Sequence, residues 1–269
     1  MALEGTTFAG FSIVQRLAHG GMADIYLAQD RNGHQFALRI LMPEFRSHWR
    51  TKQRFAWGCE VLTKLHHHNV VHVHTTGTFN GLRYVVLEYV ERGNLKEHII
   101  RNNPALTVNR LRLLSGMAAG LAHIHNRGFL HLDFKPENIL VTLSYEPKIT
   151  DFDLAIIRPD RPKRIATLSG TPSYLAPEQI SREPVDERAD IFAFGLTAYE
   201  LLSGKKPIVG DTREEVLQKY ADFNNHLRPL RSLVTDLPRG IEHVVLKCLE
   251  KDVNRRYPSM SLVVRDLQT

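Results

Sequence analysis

The sequence predicts an α+β protein with a strand-rich N-terminal part and a helix-rich C-terminal part. Short runs of alternating or β-branched residues, joined by turn signals, surround one helical segment in the first ninety residues. After Gly93 the apolar spacing becomes helical and recurs along the chain. The 269 residues, 43% hydrophobic and 24% charged, suffice for a sizeable core without disulfide or metal staples.

In chain order, residues 11–17 read as a strand, His19-Gly20-Gly21-Met22 as a turn and 24–28 as a second strand. Asn32-Gly33 is a two-residue hairpin signal, and 35–40 follows as a third strand. Residues 49–65 place Phe55, Leu62 and Leu65 at helical positions, and 70–76 and 82–88 are further strands. These predict a small antiparallel sheet with one helix. Residues 107–126 repeat Leu111, Leu114, Ala118, Leu121 and Ala122 at helical spacing, with Gly128 as the expected stop. Helical signals return at 188–203, 213–222, 240–250 and 259–267. The division expected is 1–87, a connection at 88–93, and 94–269.

Composition narrows the function classes. No run approaches the ~20 apolar residues that cross a bilayer, and no basic segment followed by an apolar core opens the chain. No membrane segment is therefore expected. Two cysteines, Cys59 and Cys248, read as free thiols of a reducing compartment, so a cytoplasmic location is expected. The net charge of +6 comes from dispersed basic residues without an aromatic-basic ladder, which argues against dedicated nucleic-acid binding. His66, His67, His68, His72 and His74 lie close in sequence, but adjacent residues point apart and no cysteine pair accompanies them. They do not read as a metal site.

The most specific signal is His131-Leu132-Asp133-Phe134-Lys135-Pro136-Glu137-Asn138-Ile139-Leu140. In-line phosphoryl transfer needs a carboxylate to orient a hydroxyl, an ammonium to offset phosphoryl charge and an amide oxygen to help hold a metal. Asp133, Lys135 and Asn138 are of those types. Asp151, in Asp151-Phe152-Asp153, adds a second metal-binding oxygen group, and Mg²⁺ needs few protein ligands beside phosphates. Gly170-Thr171-Pro172-Ser173-Tyr174-Leu175-Ala176-Pro177-Glu178 follows.

These motifs, in this order, resemble the eukaryotic-type protein kinase family, in the style of bacterial Ser/Thr kinases, over residues 11–267. The resemblance implies a bilobal kinase-like fold, use of ATP and Mg²⁺, and a protein substrate or partner. It casts Asp133 as the catalytic Asp, Lys135 as the catalytic-loop Lys, and Thr171 as a residue that contacts the catalytic Asp. Asn138 and Asp151 become the metal ligands. Leu17, Gly20, Gly21, Ile25, Ala37, Arg39 and Leu140 would line the nucleotide site. Backbone groups of Glu88 and Val90 would hold adenine, with Leu87 as gatekeeper. Leu62, Val73, His131 and Phe152 would form a spine anchored by Asp190. Glu178 would pair with Arg256, and Glu137 is a candidate reader of a basic substrate residue. Thr167 and Ser169 are candidate phosphosites.

Several positions depart from the family pattern. Ala18 and Ala23 stand at two glycine positions of the Gly-rich loop, and alanine stiffens a turn that glycine would leave free. Arg39 stands for the strand lysine, a planar fork in place of a compact ammonium. Gly58 stands where that lysine's helix glutamate is expected, with Glu60 on another face. Leu132 replaces the Arg of His-Arg-Asp, and Asp153 replaces the Gly of Asp-Phe-Gly. Loss of that Arg argues against switching by activation-segment phosphorylation. An Arg39–Asp153 pair is one expected compensation. Two readings stay open here: an atypical Ser/Thr protein kinase, or a pseudokinase that holds nucleotide or partners without efficient transfer.

Overall fold

A computed structural model describes residues 3–165, 171–208, 213–221, 223 and 227–268. Thr167 and Ser169 lie outside the described residues.

The N-terminal lobe is an antiparallel six-stranded sheet in the order β1-β2-β3-β4-β6-β5. Its strands are β1 (Thr7–Phe8), β2 (Phe11–His19), β3 (Ala23–Gln29), β4 (Gln35–Leu41), β5 (Val73–Phe79) and β6 (Leu82–Glu88). The helix α1 (Trp49–Thr63) links β4 to β5. Strand alternation gives the sheet two buried faces. Phe8, Ile13, Tyr26, Leu38 and Val86 pack on one, and Ala23, Ala37, Val85 and Leu87 join the main core on the other. The strand expected at 70–76 starts later, at Val73. Val70 instead bridges Ile149, and the backbones of Asn69 and Val71 also bond Ile149. Those residues are thereby diverted to the second lobe.

The C-terminal lobe is helical, as the sequence pattern predicts. It comprises α2 (Leu95–Ile100), α3 (Pro104–Asn126), α4 (Pro177–Ile180), α5 (Glu187–Ser203), α6 (Arg213–Ala221), α7 (Leu230–Leu233), α8 (Arg239–Cys248) and α9 (Met260–Leu267). Two small hairpin-like pairs lie beside them: β7 (Phe129–Leu130) with β10 (Ile156–Ile157), and β8 (Ile139–Val141) with β9 (Pro147–Ile149). Helix α3 begins before the predicted 107 because Asn103 caps the Ala105 N–H and Pro104 opens the first turn. The short helices α2, α4 and α7 lack a periodic signal long enough to predict.

Helix α5 is buried on all sides from Ala189 to Leu202, which makes it the axis of this lobe. Asp186 caps its start and Gly204, at φ 69°, ends it in the left-handed conformation. Among the described residues, no helix is long and apolar enough to cross a membrane.

Candidate active site

The segment 131–138 runs from β7 into β8 and is held by Asp190 of α5. Asp190 is fully buried and accepts three hydrogen bonds, each 2.8 Å long. The donors are His125 Nε2 and the backbone N–H groups of His131 and Leu132. Leu132 sits at φ 59°, a costly conformation for a branched residue, and the Asp190 bond holds it there. Its buried side chain joins the core where the family pattern has Arg. His131 donates from Nε2 to Thr150 O and accepts the Asp133 N–H at Nδ1. Its ring centroid lies 4.8 Å from that of Phe152.

Asp133, Lys135, Asn138 and Thr171 converge. Lys135 Nζ donates to Asp133 Oδ2 and to Thr171 Oγ1, both at 2.8 Å. Asn138 Nδ2 donates to Asp133 O at 2.8 Å and Asp133 Oδ2 at 3.0 Å. Thr171 thus reaches Asp133 through Lys135, whereas a direct contact was the expectation. The Asn138 nitrogen is spent on Asp133, which leaves its side-chain oxygen as the atom a metal would take.

Asp151 occupies φ 63°, and its buried Oδ1 has no hydrogen-bond partner. Arg39 Nη2 lies 3.7 Å from that oxygen. An orphaned carboxylate oxygen suits a hard cation such as Mg²⁺. Burial would raise the Asp151 carboxyl, but the Arg39 guanidinium beside it brings it below the ordinary value.

The nucleotide-site expectations fall on the inner face of the sheet. Ile25, Arg39 and Val85 are direct cross-strand neighbours, as are Leu27, Ala37 and Leu87. Leu17 lies at a register shift in β2, half exposed at 39%. Gly20 and Gly21 close the β2–β3 turn without positive φ. What Gly20 supplies is closeness: a Cβ there would lie 3.0 Å from Ala23 O. A His19–Asp24 bond of 2.7 Å fastens the turn. Leu140 lies on β8, packed against the same core that the inner face of the sheet joins. Glu88 and Val90 lead out of β6. The Glu88 carboxylate is used structurally, accepting from His72 N at 2.7 Å and Lys148 Nζ at 2.9 Å.

Arg39 does pair with Asp153. Nη1 donates to Oδ1 at 3.0 Å and Nη2 to Oδ2. The guanidinium also lies over the Phe55 ring, 5.0 Å from its centroid. Burial pushes the Asp153 carboxyl up to about 6, against the opposing pull of Arg39 and with the Asp151 charge adding to the rise. Glu60 is turned to Lys64 at 2.7 Å.

Glu178 and Arg256 form a buried bidentate pair at 2.6 and 2.8 Å. Glu137 Oε2 is buried with no hydrogen-bond partner. One cluster beside it went unread in the sequence: buried Glu200 accepts from Lys96 Nζ and Tyr174 OH. The available signal was an acid among apolar residues on a helix buried all round. Arg54 and Trp57, whose side-chain N–H groups meet the backbone at Asp153 and Ala155, left no such signal.

The protein kinase domain family matches residues 11–266. A probable serine/threonine-protein kinase PknB of Lactococcus lactis is 29% identical over 269 residues, covering 98% of this chain and 43% of that protein. Serine/threonine-protein kinase PrkC of Bacillus subtilis is 28% identical, covering 99% of this chain and 41% of that protein. Serine/threonine-protein kinase pkn2 of Myxococcus xanthus is 30% identical over 91% of this chain and 30% of its own length. The chain spans less than half the length of these relatives. With nearly all of its residues matched, the chain belongs to the protein kinase domain family.

Proposed function

We propose that this chain is an atypical Ser/Thr protein kinase domain that binds Mg-ATP and phosphorylates a hydroxyl of a protein substrate. The observation that carries the reading is the shared carboxylate: Lys135 and Asn138 both hold Asp133 Oδ2, and Lys135 also holds Thr171. Bound Mg-ATP supplies the transferable phosphoryl group and screens its charge. Asp133, with one oxygen held, orients a substrate hydroxyl and accepts its proton at the carboxylate. Lys135 stands beside it to offset phosphoryl charge. Asn138 and Asp151 would hold the metal through their side-chain oxygens. Ile25, Ala37 and Leu140 would enclose the purine, with Leu17 above it and the backbone of Glu88 and Val90 at its edge. Gly20 and Gly21 would lie over the phosphates, which Arg39 would contact. The unpartnered Glu137 oxygen supports recognition of a basic side chain on the substrate protein.

The lobes are taken as 1–87 and 94–269, with 88–93 between them. Two buried free thiols, Cys59 and Cys248, support a reducing, cytoplasmic setting.

The pseudokinase reading has one specific observation in its favour. Both Arg39 Nη atoms are engaged by Asp153, so the phosphate-facing cation is already partly satisfied. Phosphate incorporation decides between them. The chain is incubated with Mg-ATP and a basic substrate protein and followed by intact mass, with Asp133→Asn as the control. Incorporation that disappears in the control is the expected result. A chain that melts higher with Mg-ATP yet incorporates nothing would establish the pseudokinase.

A further inference from the structure

We propose that Asp153 is the positioning residue for Arg39, in place of a carboxylate borne on α1, and that Gly58 is the notch that admits it. The proposal rests on reading the cleft as a Mg-nucleotide site. Arg39, Gly58 and Asp153 then form one unit, although they lie on a strand, a helix and the segment after β9.

Geometry joins the first two members. Both carboxylate oxygens of Asp153 face both Nη atoms of Arg39, and the two side chains are only 7% and 12% exposed. A parallel fork of this kind needs a guanidinium; a lysine ammonium cannot form it. The guanidinium carries more N–H groups than this fork uses, so donors remain for phosphate oxygens.

Space accounts for the third. A Cβ on Gly58 would lie 2.6 Å from Asp153 Oδ1 and 3.2 Å from both Asp153 N and Phe152 C. The tightest of the three is the Asp153 carboxylate itself, whereas the two backbone atoms need give only a few tenths of an ångström. Glycine inside a helix is unfavourable relative to alanine, and here the helical backbone does not require it. The missing side chain is what the site uses.

Helix α1 holds the same segment by other means. Arg54 Nε donates to Asp153 O at 3.2 Å, and Trp57 Nε1 donates to Ala155 O at 2.7 Å. Asp153 is also two residues from Asp151, whose Oδ1 lies 3.7 Å from Arg39 Nη2. One short segment therefore carries both the carboxylate offered to the metal and the carboxylate that aims the phosphate-facing cation. In this arrangement α1 lends a shape and two N–H groups but no carboxylate.

The test is a variant cycle on the 269-residue chain, with Mg-ATP affinity read by calorimetry and folding by thermal melting. Asp153→Gly is expected to weaken Mg-ATP binding about 10-fold, the loss of a charged hydrogen bond. Gly58→Ala should weaken it in the same direction although it removes no contact. Gly58→Glu with Asp153→Gly should return to within about 3-fold of the wild type, because neighbouring substitutions couple strongly. There the new glutamate meets Arg39 in the vacated space. That recovery is a result a merely structural role would not produce. Should Gly58→Ala melt early, Asp153→Asn carries the comparison, keeping shape but not charge, with a loss again expected.

A folded Asp153→Gly that binds like the wild type overturns the proposal. So does a double variant that binds no more tightly than Asp153→Gly alone. A wild-type chain that binds no Mg-ATP overturns both the proposal and the reading beneath it. Binding without phosphate incorporation overturns transfer alone, and the cycle still decides for Asp153.

Discussion

Lys135 holds two partners at equal length, and this is where the residue scale matters most. Its ammonium joins Asp133 on the catalytic loop to Thr171 beyond β10. Removing the Thr171 hydroxyl leaves Lys135 free to collapse onto Asp133, which burdens the carboxylate that in the proposed function accepts a proton. Thr171→Val should lower the initial rate of phosphate incorporation about 10-fold, while Thr171→Ser stays near wild type. Equal rates for the two variants would show that the hydroxyl does not matter. The identities of Asp133, Lys135 and Asn138 were legible in the sequence because they lie within six residues and one loop conformation presents them together. The route from Thr171 to Asp133 was not, because it depends on where a distant segment is laid down.

At the scale of elements, α5 organises the catalytic loop through one carboxylate. Burial alone would raise the Asp190 carboxyl. The hydrogen bond and charge of His125, the field of His131 and the His131 N–H reverse this and hold it below the ordinary range. A lowered carboxyl contributes stability that is fully present above its unfolded value, ~4, and is lost as pH falls through its folded value. Asp190→Asn should therefore cost about 3–5 kcal/mol at pH 7, with the gap to wild type narrowing as pH falls below ~4. Urea unfolding across pH measures both. A gap that stays constant with pH would show that the Asp190 charge is not what holds the loop. The long helices α3 and α5 were readable from periodicity. The end of α1 was not, because Leu65 is buried beyond its last turn and continues the apolar pattern without the helix.

At the scale of the whole molecule, the C-terminal lobe is closed by Glu178 and Arg256, 78 residues apart and both buried. Arg256 also donates to the carbonyls of Arg188, Glu250 and Lys251, so one side chain ties α4, α5 and the segment after α8. Glu178→Ala leaves that cation buried without its partner and should cost about 3–5 kcal/mol in denaturant unfolding. A loss under ~1 kcal/mol, the range of exposed pairs, would contradict a buried, structural role.

Periodicity and short spacing are local properties of a chain, so the sequence carries the long strands and helices and the grouping of Asp133, Lys135 and Asn138 between β7 and β8. It also showed that Arg39 lacks the helix glutamate its family pattern provides. What answers that lack is visible only in the fold. Asp153 meets Arg39 across 114 residues because α1 presents no Cβ at Gly58. A contact of that kind depends on how closely two backbones approach, which no spacing along the chain records.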